Sequence, residues 1–177
     1  MKNLLLQYAE YNLWANKRIA DILNELPENI LNQQFPSSFK SILKTVQHLC
    51  FAENLWYKRI KISPIENIPA ISLDTTIQQL NYRWFNCSQL WIDLIKYCNE
   101  NELQKNLDYT SLKSEKFCQP LWQLLQHLFN HQTYHRGQLI TLFHLAGISG
   151  LPATDFIVFI INIEFISSES RIIRQIT

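Results

Sequence analysis

The sequence predicts an all-α fold: an antiparallel four-helix bundle with a short additional C-terminal element. Three observations predict it. Apolar residues recur at helical spacing along four long segments, which is the pattern of amphipathic helices sharing one core. The chain has just 3 glycines, a poor supply for tight hairpins, phosphate loops or a Rossmann turn. Hydrophobic residues make up 47% and charged residues only 18% of the 177 positions, enough apolar surface to bury a single sizeable core rather than remain disordered.

The elements follow in order. In the first segment Tyr8, Tyr11, Ala15, Ile19, Ile22 and Leu26 form a helix-like stripe that Pro27 ends. "FPSSFKSI" then supplies Pro36 and serines able to cap a second helix over residues 39–62. Proline-bearing "SPIENIPAISL" breaks the pattern. Asp74 is the candidate N-cap for the third helix, where Ile77, Leu80, Trp84, Cys87, Trp91, Leu94 and Cys98 alternate spacings of three and four, the seam of a packed bundle helix. The polar stretch "ENELQKNLDYTSLKSEKFCQ" has room for a two-stranded excursion around residues 108–117. After Pro120 a fourth helix covers residues 121–146, with Gly147, Gly150 and Pro152 marking its end. A shorter element follows Asp155. No repeat, low-complexity tract or linker divides the chain, so residues 1–165 read as one domain and residues 166–177 as a C-terminal tail.

Sixteen basic against fifteen acidic residues leave a formal charge of +1, without the basic excess that grips phosphate backbones, so nucleic acid is not an expected partner. "MKNLLLQYAEYN" is too short an apolar run for a signal peptide, and "FIVFII" falls far below the roughly 20 residues that span a bilayer. The expectation is a cytoplasmic protein without a membrane partner. Cys50, Cys87, Cys98 and Cys118 contain no CxxC pair and read as free thiols, with Cys118 the exposed one and nothing beside it to lower its pKa.

"HLFNHQTYHRGQ", residues 127–138, holds three of the five histidines. On a helical wheel Leu121, Leu124, Leu125, Leu128, Leu139, Leu142, Phe143 and Ala146 share the core face of the fourth helix. His135 falls about 30° from its centre, His131 about 70° and His127 about 110°. His131 and His135 thus point inward together, one turn apart, and His127 is peripheral. Such a pair can converge on one cation, but two ligands do not suffice. The only histidine outside residues 127–144 is His48, beside the stripe of Ile42, Val46, Leu49 and Ile60 and on the same side as Thr45, Ala52 and Trp56. His48, His131 and His135 are therefore the candidates for one facial three-histidine site. HxxxH by itself does not separate a metal pair from two hydrogen-bonded core histidines, and His144, on the far side of the helix, reads as a core residue of that second kind.

Other metal and hydrolase chemistries lack their signatures. Thr45, Leu124, Leu128, Gln132 and Thr141 precede the histidines by three positions, so the ExxH of ferritin-like di-iron bundles is absent. There is no HExxH, no His-Asp dipeptide and no GxSxG. No further feature favours haem.

"YNLWANKRI", "TVQHLCFAENLWYKRI" and "NHQTYHRGQLITLFHLAG" followed by "LPATDF" closely resemble the DinB/YfiT-like superfamily, damage-inducible helical proteins unrelated to the similarly named DNA polymerase. The resemblance covers roughly residues 1–165, and His48 followed by HxxxHRGQ is far more specific than HxxxH alone. It implies a four-helix bundle, often a homodimer, with one divalent ion held by three histidines at the positions of His48, His131 and His135. Similar bacterial proteins of assigned chemistry include low-molecular-weight-thiol S-transferases and a thiol-dependent maleylpyruvate isomerase. The residues 166–177 match nothing.

Three neutral imidazoles leave a dication its full charge and an open position, which suits a catalytic centre able to turn water or a thiol into a nucleophile. Zinc, nickel, iron and manganese all accept such a set. Glu53, on the apolar side of the second helix, needs a partner if buried, either a salt bridge or a role as general base or orienter. Trp56 stands where it could wall the pocket or belong to the core. Arg136 is expected to pair with a carboxylate, Gln138 to bond a ligand or a neighbouring helix, and His127 to support the site from outside it. Gly137, costing about 1 kcal/mol in a helix relative to Ala, suggests a closely packed neighbouring backbone. Two functions follow: a metal-dependent thiol S-transferase or hydrolase acting on a small electrophile, or a non-catalytic helical dimer of the stress response whose metal is structural or absent.

Overall fold

The computed structural model describes residues 1–61 and 75–163. Helices α1 (Lys2–Glu25), α3 (Ile42–Lys61), α4 (Ile77–Tyr97) and α6 (Leu121–Leu145) form the bundle, joined by short helices α2 (Glu28–Leu31) and α5 (Glu100–Gln104) and a hairpin of β1 (Asn106–Thr110) with β2 (Lys116–Pro120). Residues 156–163 add a final helix, α7. The expected break at residues 63–73, the tail at residues 166–177 and Asp74 lie outside the described residues. Thr76 caps α4: its side chain accepts from Gln79 N, and Gln79 reciprocates in a capping box. Asn99 and Glu102 build the same box for α5, an element that the apolar periodicity had not marked. Ser41 takes part in the start of α3, accepting from Lys44 N at 3.2 Å. At the head of α1 no side-chain cap exists, and the carboxylate of Glu100 accepts from the Met1 amine at 3.2 Å and from Lys2 N at 3.0 Å instead.

Cross-links fix the direction of each pair. Lys2 meets Lys96 and Asn24 meets Asn81, so α1 and α4 are antiparallel. His48 meets His131 while Trp56 meets His127, so α3 and α6 are antiparallel too. These two pairs lie side by side in parallel: Tyr8 faces Phe129 and Asn16 faces Arg136, and Glu53 faces Trp84 while Tyr57 faces Trp91.

Two apolar clusters fill the interior. One gathers Ile19, Leu23, Ile42, Trp84, Leu142 and Phe143, the other Leu5, Trp91, Ile95, Leu125 and Leu128. Burying each such large side chain contributes about 1.5–3 kcal/mol. Between them every long helix contributes a polar residue, so the middle of the bundle is a polar layer. On α7, Phe156 and Phe159 pack against Tyr8, Tyr11 and Trp14 of α1, which is the shorter element expected after Asp155.

The hairpin occupies the expected excursion with wider bounds, in antiparallel register Asn106↔Pro120 to Thr110↔Lys116. Its tip is closed by Ser111 N donating to Glu115 O at 2.8 Å, with Ser114 at φ 64°. Tyr109 carries the hairpin onto α3, meeting the Trp56 ring edge-on at 5.1 Å.

Candidate metal centre

α3 and α6 cross at the polar layer, and there His48, His131 and His135 converge. Their ligand atoms all lie within 4.8 Å of one another. His48 Nε2 and His131 Nε2 stand 3.1 Å apart, close to the roughly 3.3 Å between neighbouring nitrogens on a tetrahedral ion bound at about 2.0–2.1 Å. Gln138 Oε1 accepts from His135 Nδ1 at 2.7 Å, which places that ring's proton on Nδ1 and leaves the Nε2 lone pair for a ligand. Burial, with the charge of His135 behind it, lowers the pKa of His48 to about 4. Burial followed by the charges of His135, His48 and His127 does the same for His131, also to about 4. Both imidazoles are thus neutral at pH 7, the protonation state a metal ligand needs. The donor set fits one divalent ion.

His131 and His135 keep the wheel positions expected of them, half-buried and buried. His127 is exposed, with its ring 5.2 Å from Trp56 and 5.9 Å from His131, beside the site rather than in it. His144 corrects the sequence reading: it is exposed in the last turn of α6, where no core surrounds it. Gly137 is a second correction, since a Cβ there would meet nothing within 4 Å and the position is exposed. Gln138 bonds its own helix's His135 rather than another helix.

Phe39 was not anticipated. Its ring stacks on His48 at 4.1 Å and meets His135 edge-on at 5.4 Å. It sits in a tight loop closed by Phe35 N donating to Lys40 O at 2.7 Å, with Lys40 at φ 63°. The serines around it are helix-capping residues by type, and a loop aromatic carries no periodic signal.

Glu53 points into the interior and is fully buried. Its Oε1 accepts from Asn12 Nδ2 at 2.8 Å, Asn16 Nδ2 at 3.1 Å and Trp84 Nε1 at 3.2 Å, and its Oε2 from Ser88 Oγ at 2.8 Å. Ser88 Oγ accepts in turn from Asn16, so its own proton is left for Glu53, the partner set of a carboxylate. Burial raises the Glu53 carboxyl, while Asn12, Ser88, the Arg136 charge and Asn16 pull it back. Arg136 reaches that charge through the amides: its Nη1 donates to Asn12 Oδ1 at 2.6 Å and Asn16 Oδ1 at 2.8 Å, and its Nη2 to Thr133. The carboxylate partner expected of Arg136 is therefore Glu53 at one remove, and Glu53 itself braces all four helices from a position that faces away from the site's open side. Asn12 and Asn16, one turn apart beside the apolar Ala15 and Ile19, are the sequence signal that could have pointed to this network.

His48 and His131 line the floor of a cleft of about 450 Å³ between α3 and the hairpin, within the size range of small-molecule sites. Trp56 does wall it, with Tyr109 and Phe117 opposite. Cys50, Cys87 and Cys118 are not poised as nucleophiles for this site. Cys50 and Cys87 are buried, which raises both thiols, Cys50 to about 12, and the exposed Cys118 is raised by its hydrogen bond to Asp108. No helix among the described residues is long and apolar enough to cross a membrane.

The family model that describes the DinB family matches residues 1–160. The chain belongs to the DinB family. Protein DinB of Bacillus subtilis (strain 168) is 26% identical over 163 residues, which is 88% of this chain and 93% of that protein. A DinB-like protein from Bacillus cereus ATCC 10987 superposes with a TM-score of 0.67 at 18% identity, covering 84% of this chain and 94% of its own. A DinB-like protein from Bacillus subtilis gives 0.63 at 20% identity, covering 84% and 98%. These two establish a shared DinB-like fold. Within that fold the three-histidine group of this DinB family chain is compatible with metal binding.

Proposed function

We propose that this DinB family member is a metal-dependent enzyme, holding one divalent ion on His48, His131 and His135 and joining a thiol or water to a small electrophilic molecule. The observation that carries the proposal is the convergence of three imidazoles within 4.8 Å, two of them on the floor of an open cleft. An ion held there supplies the positive charge that lets a thiol or water molecule lose its proton near neutral pH. The protein's part is to keep His48 and His131 neutral by burial, to fix the His135 tautomer through Gln138 and to hold His48 against Phe39. Because Cys50 and Cys87 are buried and raised, the attacking group comes from outside and enters through the cleft.

Elemental analysis of protein purified without a histidine tag should find close to one divalent ion per chain, lost in His131→Ala. A screen of thiols with electrophiles should then show activity in the wild type and none above background in His48→Ala. Equal rates in the two proteins would remove the thiol-transfer reading.

A further inference from the structure

Three arginines among the described residues lie over aromatic rings, and their edges differ. Arg18 stands 5.0 Å over Trp14 and its Nε donates to Ala153 O at 3.1 Å. Arg136 stands 5.3 Å over Tyr11 and donates to Asn12, Asn16 and Thr133. Arg59 stands 4.8 Å over Trp56 and 5.7 Å over Tyr109, yet no described carboxylate lies within salt-bridge distance of it and no described group takes its N–H bonds. Stacking engages the face of a guanidinium and leaves its edge, a rigid fork of N–H donors, in the geometry that matches a carboxylate. Arg59 is half-buried, so those donors are partly withdrawn from water and held still before any partner arrives.

Arg59 lines the same cleft as His48 and His131. His48, Ala52, Trp56 and Arg59 follow one face of α3, and the rise of the helix separates the first from the last by about 16 Å along the axis. The wall between them is apolar, with Leu55, Trp56, Leu112 and Phe117. At the hairpin tip the exposed Lys113 and Glu115 offset one another in charge, and Glu115 accepts from Ser111 Oγ at 3.3 Å. The cleft therefore has an imidazole end, made by His48 and His131, an apolar middle and a cationic end.

We propose that Arg59 sets substrate specificity by pairing a carboxylate at the far end of an elongated molecule whose reacting end lies at the three histidines; the reacting end alone rests on the metal-site reading above. The test uses cobalt-loaded protein, with ω-mercaptooctanoate and ω-mercaptooctanol as probes of equal length that differ in charge at one end. Calorimetry should show the carboxylate bound at least about tenfold more tightly than the alcohol. The ratio should fall to near one in Arg59→Gln and be partly kept in Arg59→Lys. Cobalt–thiolate absorption reads the other end, and should appear with both probes in the wild type and in Arg59→Gln. A ratio near one in the wild type, or one unchanged in Arg59→Gln, overturns the role of Arg59. Absence of the absorption with both probes overturns the metal reading instead, and the affinity ratio still decides for or against Arg59.

Discussion

Two polar clusters share the middle level of the bundle and differ in how completely they are satisfied. Around Glu53, the side chains of Asn12, Asn16, Trp84, Ser88 and Arg136 form a closed set in which no buried nitrogen or oxygen is left unpaired. Around His48, one ring–ring contact serves two imidazoles, and His131 Nδ1 is buried without a partner. The first cluster spends its hydrogen bonds on other helices, as a structural brace does. The second keeps ring nitrogens directed at a common point, as a site for something from outside does.

The largest expected effect breaks the closed cluster. Glu53→Ala strands the buried Arg136, a loss of about 3–5 kcal/mol, and urea denaturation should read it; a loss near zero would show that the network does not hold the bundle. A smaller effect confined to the open cluster should come from Gln138→Ala, which frees the His135 ring. Ion affinity should drop about 10- to 100-fold in competition with a chromophoric chelator, with the metal-free protein melting as before. Gly137→Ala, in the same helix but touching neither cluster, should stabilise by about 1 kcal/mol, seen as a higher Tm.

The smallest effect is on pH dependence, since His48 and His131 are only half-buried and solvent screens them. Their pKa values are lowered from 6.5 to about 4, so between those limits the unfolded chain binds protons that the folded chain does not. Stability of the metal-free protein should be full above about pH 6.5 and fall as pH drops toward 4. Thermal melts across that interval should show a shallower slope in His131→Ala, and an unchanged slope would mean that the rings titrate normally.

The four long helices were legible because Ile19, Leu49, Trp84 and Leu125, one from each, belong to stripes at helical spacing and are fully buried. The histidine pair was legible for the same reason, since a wheel places His131 and His135 relative to a core face. Which helices neighbour one another was not: periodicity says which face is buried and nothing of what covers it, so the Glu53 partners on α1 and α4 stayed hidden. The start of α4 was read at Asp74, whereas the reciprocal bonds of Thr76 and Gln79 decide it. Gly137 misled because a glycine inside a helix signals either a close neighbour or plain tolerance, and only space around the α carbon tells them apart.

Phe39 lies flat on one side of His48, and the cleft opens on another. A guest is thereby shut out from the face of the His48 ring that Phe39 covers and reaches the imidazole from the cleft alone.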